Sequence, residues 1–398
     1  MKIAFVFDSM FYGGIQRVGI DYIHLLKSRG YEVDVYILNP KKTDEIVNEL
    51  PEDCEIKNMP LPLALCPEAY WRVAKQYWWG KYAFPIIFLL LRIILFGYKC
   101  IITPRRKYDV AIAFSGHLND LSFVAYDFLK AKKKCCWLHG GLYSYMVIVP
   151  GFERLYMKIK NLVVLTDVCQ KEVLFFNKFL HLNIEKIYNP SFIRQKPLNE
   201  QKISELRDKY GDFVLMVARL SPQKNHKSLI KAMAYIREKY HYSCNLLMVG
   251  EGELEEELKI FAVENGMADV CFFEGNQPEP QNYYAAAHLF AFSSFSEGLP
   301  TVLIEAGSFG LPLVSSDTSV REILGNSEYG LVSPIDDFEA LGENIYRILS
   351  DKEMYRKYSD LALEKSKQFV PEVILERVEA FPSILYTAVR KGLPSLLV

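Results

Sequence analysis

Two glutamates bracket the start of a short predicted helix near position 300, and their surroundings indicate chemistry. Glu297 and Glu305 lie on either side of a Gly-Leu-Pro turn, which follows an apolar strand that ends in serines. Pro300 is predicted at the first helical position, and the free backbone N–H groups of a helix start attract phosphate. Those N–H groups belong to Gly298, Leu299, Thr301 and Val302. Glu305 shares a helical face with Thr301 and can reach a ribose diol. The stretch predicts a nucleotide-sugar site; the alternative is a capped core helix with two solvated glutamates.

A pair of cations forms the second candidate. Arg219 and Lys224 lie five positions apart in a loop that follows a predicted strand. An arginine fork and a lysine point charge can converge on phosphate oxygens, where they would stabilise the charge that develops on a diphosphate leaving group. Taken alone, the pair is equally compatible with two exposed surface cations.

Two glycine pairs and one histidine follow other predicted strands. Gly250 and Gly252 lie in a turn before a helix, Gly14 follows Gly13 near the N-terminus, and His139 ends a strand of the first half. Glycine permits the close approach of a ligand to the backbone, and His139 could hydrogen-bond a sugar hydroxyl. The alternatives are tight turns and a structural histidine. Neither pair has the Gly-x-Gly-x-x-Gly spacing of nicotinamide-binding enzymes, which disfavours a dehydrogenase.

To act together, these residues require a fold that brings the ends of several strands close to one another. The sequence pattern predicts such a fold. Short apolar runs alternate with helical periodicity in both halves, which is typical of doubly wound parallel sheets. A proline-containing polar stretch near residues 188–201 divides the chain into predicted Rossmann-like domains 1–190 and 191–398, which are expected to face each other across a cleft. Ligands of such sheets bind at the carboxyl ends of the strands. Residues 371–391 are predicted to be helical and could pack back on the first domain.

Composition excludes several classes of protein. The chain has 398 residues, 50% of them hydrophobic and 24% charged, with a formal net charge of -1. Disorder and a nucleic-acid partner are therefore not indicated. Eight cysteines without a Cys-x-x-Cys pair favour reduced thiols over disulfides or zinc. The N-terminal run Lys2–Asp8 is predicted to be a buried strand rather than a signal peptide.

An aromatic and basic segment, residues 70–107, surrounds an apolar run at 83–102. The run is interrupted by Arg92 and falls short of the roughly 18 to 20 uninterrupted apolar residues expected of a spanning helix. Aromatic and basic residues beside an apolar helix favour a position at the membrane surface. A buried core helix and a true membrane span are the alternatives.

The chain resembles the retaining glycosyltransferases of family 4, which have the GT-B architecture. The resemblance covers nearly the whole chain, most strongly residues 213–325, and is carried above all by Glu297 and Glu305 in Ser-Glu-Gly-Leu-Pro…Glu-Ala. It implies that Glu305 holds the donor ribose and Glu297 the transferred sugar, while Arg219 and Lys224 grip the diphosphate.

Further positions are assigned by the same resemblance. Gly14 would approach the donor phosphate and His139 the donor sugar, Gly250 and Gly252 would lie near the nucleotide, and Asn276 and Gln277 near the base. The chain departs from the family at Thr318–Arg321, where two glycines are common.

The expected function is transfer of a hexose or N-acetylhexosamine, with retention, from a nucleotide-sugar, preferably a UDP-sugar. The sequence has no Asp-x-Asp motif, so we expect no metal and no cofactor. The expected acceptor is a glycan, preferably lipid-linked, at the cytoplasmic face of the cell membrane, in the assembly of a surface polysaccharide such as capsule or lipopolysaccharide. Alternatives are a sugar-nucleotide epimerase or sugar phosphorylase of the same architecture, and a non-catalytic scaffold that binds nucleotide-sugar or membrane.

Overall fold

The chain forms two compact units. The computed structural model describes residues 1–11, 13–42, 45–61, 63–66, 70, 77–103, 106–140, 152–175 and 181–381. The first unit consists of Met1–Pro190 together with the chain from Pro371, and the second consists of Ser191–Val370. Parts of the predicted aromatic segment (71–76, 104 and 105) and of the predicted C-terminal helix (382–391) lie outside the described residues.

The described part of the first unit contains a parallel sheet of seven strands in the order β3-β2-β1-β4-β5-β6-β7. The strands are β1 (Lys2–Phe7), β2 (Glu32–Ile37), β3 (Glu55–Asn58), β4 (Lys107–Ala113), β5 (Lys130–Leu138), β6 (Asn161–Val164) and β7 (Asn183–Lys186). The helices are α1 (Gly14–Ser28), α2 (Gly80–Ile102), α3 (Leu118–Ala125), α4 (Phe152–Ile159) and α5 (Asp167–Phe175). The central strand β1 is almost wholly apolar and buried, as expected when helices cover both faces of a parallel sheet.

The second unit contains a parallel sheet of six strands in the order β10-β9-β8-β11-β12-β13. The strands are β8 (Phe213–Val217), β9 (Asn245–Val249), β10 (Cys271–Phe273), β11 (Leu289–Phe292), β12 (Leu313–Ser316) and β13 (Leu331–Ser333). The helices are α6 (Glu200–Tyr210), α7 (His226–Tyr240), α8 (Glu255–Glu264), α9 (Pro280–Ala286), α10 (Thr301–Ser308), α11 (Arg321–Leu324), α12 (Phe338–Ser350) and α13 (Lys352–Ser366). The prediction of two doubly wound parallel-sheet domains is confirmed.

The last described helix, α14 (Pro371–Ala380), belongs to the first unit. The Tyr31 hydroxyl, just after α1, donates a hydrogen bond to Glu379 Oε1 at 3.2 Å, and the Arg377 guanidinium lies 5.6 Å from the centre of the Tyr188 ring. The chain therefore leaves the first unit near Pro190 and returns to it at Pro371.

Helix α2 corrects two expectations for the aromatic and basic segment. Its apolar stretch Tyr82–Ile102 runs through Pro85 and Arg92 as one helix, and by length and composition it is long enough to cross a membrane. The prediction that the run is too short was therefore wrong, because its interruptions do not end the helix. Only 6% of its most apolar window is buried, so the alternative of a core helix is also wrong.

Candidate functional site

The sheet of the second unit reverses its strand order between β8 and β11. The chain proceeds from β8 to β9 and β10 on one side, and β11 then pairs with β8 on the other. Such a reversal leaves a crevice at the carboxyl ends of the two strands. The loop after β8 carries Arg219 and Lys224, and the loop after β11 carries Glu297. Arg219, Lys224, Glu297 and Glu305 thus converge on this edge together with the first turn of α10.

Hydrogen bonds join the two loops that border the crevice. The Phe295 amide donates to the Gln223 carbonyl at 2.8 Å, and the Ser293 hydroxyl donates to the Asn225 carbonyl at 2.9 Å. The Gln223 side-chain amide donates in return to the Ser296 carbonyl at 2.6 Å. These bonds hold the turn that ends in Lys224 directly against the segment that contains Glu297.

Lys224 and Glu297 form an ion pair. Lys224 Nζ lies 2.7 Å from Glu297 Oε1, and their side chains are only 22% and 11% exposed. Ser294 Oγ lies 2.5 Å from the same carboxylate oxygen. The sequence assigned these two charged residues to different parts of one ligand, and the structure places them in direct contact, which fixes both side chains at the mouth of the crevice.

Glycines position the loop that carries Arg219, which is itself exposed. Gly250 has a φ of +141°, and a Cβ there would lie 2.0 Å from the Ala218 carbonyl oxygen; a Cβ on Gly252 would lie 2.3 Å from the Leu220 carbonyl oxygen. The Leu220 amide also donates to the carbonyl of the intervening residue, Glu251, at 3.0 Å. The close approach that these glycines permit is therefore to the chain's own backbone next to Arg219.

Helix α10 begins one residue later than predicted. Pro300 is its N-cap, with φ -73° and ψ 94°, and Thr301 is the first helical residue. The prediction that Pro300 is the first helical residue was wrong, because its extended ψ keeps it outside the helix. The Pro300 side chain has no hydrogen-bond acceptor and cannot cap the helix. The N–H groups of Thr301 and Val302 in the first turn therefore receive no side-chain acceptor from the N-cap residue. Gly298 is half-buried and Leu299 is buried just before the cap.

Glu305 lies on the same helix and accepts a hydrogen bond from a buried tyrosine. The Tyr284 hydroxyl lies 2.8 Å from Glu305 Oε2, and burial, followed by the Glu305 charge, raises the pKa of Tyr284 well above its ordinary value. Tyr284 therefore stays a neutral donor that orients the carboxylate. Tyr284 and Ser294 were not assigned roles from the sequence. Ser294 is one of the serines that end the apolar strand before the Gly-Leu-Pro turn, whereas Tyr284 has no local signal.

The loop after β10 carries the two residues expected near the base. Asn276 is exposed, and the Gln277 side-chain amide donates to the Glu274 carbonyl at 2.6 Å. The Gly250 amide donates to the Gly275 carbonyl at 2.8 Å. The loops after β9 and β10 are thus joined at the same edge of the sheet as the crevice.

Gly14 and His139 belong to the first unit. Gly14 is the first residue of α1, and a Cβ there would meet no atom within 4 Å. His139 Nε2 donates to the Phe114 carbonyl at 2.8 Å, and burial lowers the pKa of His139 to about 4. The ring is therefore neutral at physiological pH, and Nδ1 remains as its acceptor.

One segment of the chain matches a known family model, and nearly the whole chain is similar to known proteins. Residues 199–365 match the family model described as "Glycosyl transferases group 1". Over 372 residues the chain is 26% identical to an uncharacterized glycosyltransferase of Haemophilus influenzae, with 92% of this chain and 94% of that protein covered.

Two further similarities concern a named enzyme and a solved structure. The chain is 31% identical over 166 residues (41% of this chain, 44% of the relative) to the N-acetylgalactosamine-N,N'-diacetylbacillosaminyl-diphospho-undecaprenol 4-alpha-N-acetylgalactosaminyltransferase of Campylobacter jejuni. It is structurally similar to Anabaena Alr3699/HepE in complex with UDP-glucose, with a TM-score of 0.72, 19% identity, and 96% and 100% of the two chains covered. The fold is GT-B, and together the matches support a glycosyltransferase.

Proposed function

We propose that this chain is a retaining glycosyltransferase that moves a hexose or N-acetylhexosamine from a UDP-sugar to a lipid-linked glycan in the assembly of a surface polysaccharide. The observation that carries the proposal is the crevice of the second unit, where Lys224, Glu297, the start of α10 and Glu305 meet at the ends of β8 and β11. This crevice lies within the matched segment 199–365. The named relative from Campylobacter jejuni and the UDP-glucose complex of the Anabaena protein favour the donor and acceptor classes.

In the proposed chemistry, different side chains of the crevice bind different parts of the donor. Thr301, Val302, Arg219 and Lys224 bind the diphosphate, so that Lys224 is shared between Glu297 and the ligand. Glu305, oriented by Tyr284, accepts hydrogen bonds from the ribose, and Glu297 orients the transferred sugar. The negative charge that develops on the diphosphate is stabilised by the two cations and the helix start.

Retention is proposed to follow a front-face route. The acceptor oxygen attacks the anomeric carbon from the side of the leaving group as the bond from that carbon to the diphosphate oxygen breaks. The acceptor proton passes to the departing diphosphate, so that no enzyme nucleophile is required. Comparison of the anomeric configuration of donor and product by NMR tests this route, and an inverted product would contradict it.

We propose that no divalent metal takes part, since Arg219 and Lys224 supply the positive charge that a metal would otherwise bring to a diphosphate. Turnover after treatment with EDTA should stay within about twofold of the untreated protein. A loss that Mg²⁺ or Mn²⁺ restores would contradict metal independence while leaving the transfer reaction in place.

Helix α2 supports the proposal that the protein acts at the inner face of the membrane. Large apolar side chains along one side of α2, including Leu89, Ile93 and Phe96, are 61 to 66% exposed. Transfer of such surface from water to lipid is favourable. The chain should therefore float with anionic liposomes, and a variant carrying glutamine at these three positions should not. Glutamine at Ile260 and Val263, two exposed apolar positions in the second unit, is the matched control and should float normally.

One experiment decides between this proposal and its alternatives. UDP-, GDP- and ADP-sugars are screened for binding, and the best donor is incubated with the protein alone and with a membrane extract. Sugar transfer that requires the extract supports the proposal. Conversion of the nucleotide-sugar without any acceptor would favour an epimerase, and dependence on inorganic phosphate would favour a phosphorylase. Unaltered biological activity after Glu305→Ala would favour a non-catalytic scaffold.

A further inference from the structure

A cavity of about 600 Å³ lies in the second unit, next to the turn that carries Lys224. It is bordered by the first residues of α7 and α12 and by the N-cap of α8. Pro222 and Asn225, which lie on either side of Lys224 in the chain, also line it. Its volume is within the range of small-molecule sites, about 300–1,000 Å³. The lining residues do not include any position assigned above to the donor, so the cavity is distinct from the crevice.

The ring of His226, the first residue of α7, lines this cavity and lacks a hydrogen-bond partner. The residue is 2% exposed, and both ring nitrogens are buried and unpaired. Burial, followed by the charge of Lys224, lowers the pKa of His226 to about 4, so at neutral pH the ring has one N–H donor and one acceptor nitrogen. Buried polar atoms are nearly always paired in folded proteins. A ligand with a polar group would supply the partner that the ring lacks.

The start of α7 attracts negative charge. Its N-cap, Asn225, is in the left-handed region with φ 48° and ψ 46°, and it offers no side-chain acceptor to the first turn. The Asn225 side-chain amide donates instead to Asp336 Oδ1 at 3.0 Å. Glu257, another carboxylate at the cavity, pairs with Lys227. Both carboxylates therefore have partners, while the N–H groups and the dipole at the start of α7 favour an anion.

Lys231 adds a positive charge to the same wall. It lies one turn after Lys227 on α7, and its ammonium is 5.8 Å from the centre of the Phe261 ring and 5.6 Å from that of Phe338. Among the residues that the structure describes, no acidic side chain pairs with Lys231. An exposed ammonium beside a helix start is an arrangement that recognises phosphate.

Apolar side chains complete the wall of the cavity. Phe295 is 42% exposed, Leu254 and Phe338 are half-buried, and Leu258 is buried. A ligand that covers these side chains removes apolar surface from water, which is favourable. The cavity thus combines an apolar surface with one positive wall, which suits an organic anion better than a small inorganic ion.

We propose that this cavity binds an organic phosphate, with its phosphate group at the start of α7 and at Lys231 and its apolar body against Phe295 and Phe338. The ring N–H of His226 donates a hydrogen bond to the bound ligand. The site is additional to the donor crevice and does not depend on the transfer reaction. Its occupant contacts the turn that carries Lys224, so the test keeps the crevice filled.

Phenyl phosphate, a small organic phosphate with an apolar ring, is titrated against the full chain by saturation-transfer NMR. The crevice is held saturated with UDP, or with GDP or ADP if one of these binds more tightly, so that phosphate binding there is already blocked. Phenyl phosphate should bind at millimolar concentrations or below. Inorganic phosphate should bind more weakly because it leaves the apolar wall uncovered, and benzyl alcohol should not bind because it lacks the charge.

Variants assign the binding to this cavity. Lys231→Met should weaken phenyl phosphate about tenfold or more, whereas Lys231→Arg, which keeps the charge, should stay within about threefold of the wild type. Lys239→Met is the matched control, since Lys239 lies on the same helix but pairs with Glu343, and it should change nothing. The ring signal of His226, identified by its loss in His226→Gln, should shift when phenyl phosphate is added. Thermal melts establish that the variants are folded.

Three results would overturn the inference. They are the absence of phenyl phosphate binding once the crevice is saturated with nucleotide, equal affinity in the wild type and in Lys231→Met, and equal binding of benzyl alcohol. The proposed function is judged separately, because sugar transfer is measured without phenyl phosphate. Transfer by a protein that fails these binding tests removes only the inference, and binding without transfer leaves this site in place while removing the proposed function.

Discussion

Replacement of Lys224 by methionine distinguishes the contribution of this residue to stability from its proposed contribution to catalysis. The change leaves the Glu297 carboxylate, 11% exposed, without the ammonium that lies 2.7 Å away. Removal of one partner from a fully buried ion pair costs about 3–5 kcal/mol, and because Lys224 is 22% exposed we expect about 2 kcal/mol here. In a unit of this size that corresponds to a fall in Tm of about 4–8 °C.

Turnover should fall by much more than this loss of stability explains. Removal of one group that stabilises developing charge typically lowers kcat by about 10²–10³-fold. In the double variant Lys224→Met/Glu297→Gln the unpaired charge is gone, so most of the lost Tm should return. Its turnover should remain at or below that of the single variant. Thermal unfolding by circular dichroism and UDP release from the donor measure the two effects independently.

A matched control comes from the neighbouring lysine. Lys227 pairs with Glu257 on the surface, where the side chains are 41% and 55% exposed, so Lys227→Met should cost less than about 1 kcal/mol. If the double variant melts as low as Lys224→Met, the unpaired Glu297 charge is not the cause of the instability. If Lys224→Met keeps turnover within a few-fold of wild type, Lys224 does not stabilise the leaving group.

Three further predictions concern the backbone and one buried histidine. Gly250→Ala should lower Tm by more than about 5 °C, because the added Cβ would clash with the Ala218 carbonyl. Gly14→Ala, where the added Cβ meets no atom, should leave Tm unchanged and raise KM for the donor. Equal melting temperatures of the two variants would contradict the packing argument. Burial, followed by the Lys224 charge, lowers the pKa of His226 from 6.5 to about 4, so its unfolded form takes up a proton first and stability falls as pH drops from 6.5 towards 4, by up to about 3 kcal/mol. The Tm of His226→Gln should fall less steeply over this range, and parallel curves would refute the assignment. Ser319 has a φ of +40°, so Ser319→Gly should raise Tm by about 2–4 °C, and a lower Tm would show that its side chain contributes more than the strain costs.

The central strands could be predicted from the sequence, and several edge strands could not. Strand β9, Asn245–Val249, is one of the short apolar runs of the second half: four of its five residues are apolar, which is typical of a strand buried between helices. Strand β3, Glu55–Asn58, was not predicted, since it is mostly exposed and polar. It is a strand because its backbone pairs with β2, and pairing of this kind leaves no apolar run in the sequence.

Helix α2 also has properties that its sequence indicated and one that only the structure established. Its apolar character and its basic neighbours were evident from the sequence, and its length of 23 residues follows once Pro85 is accommodated within the helix. The aromatic and basic neighbours favoured an exposed position at the membrane surface. The apolar run itself has the same sequence signature whether its partner is a protein core or a lipid surface, so only the structure excluded a core helix.

The sequence by itself determined the chemical groups of the candidate site and their placement at strand ends. Spacing alone put Arg219 and Lys224 after one strand and Glu297 and Glu305 around the start of one helix. Only the tertiary structure decided that Lys224 contacts Glu297, 73 residues away, that Gly250 supports the backbone next to Arg219, and that Tyr284 orients Glu305. These contacts join segments that are distant in the chain, and they depend on strand order and loop backbone, which local periodicity does not encode.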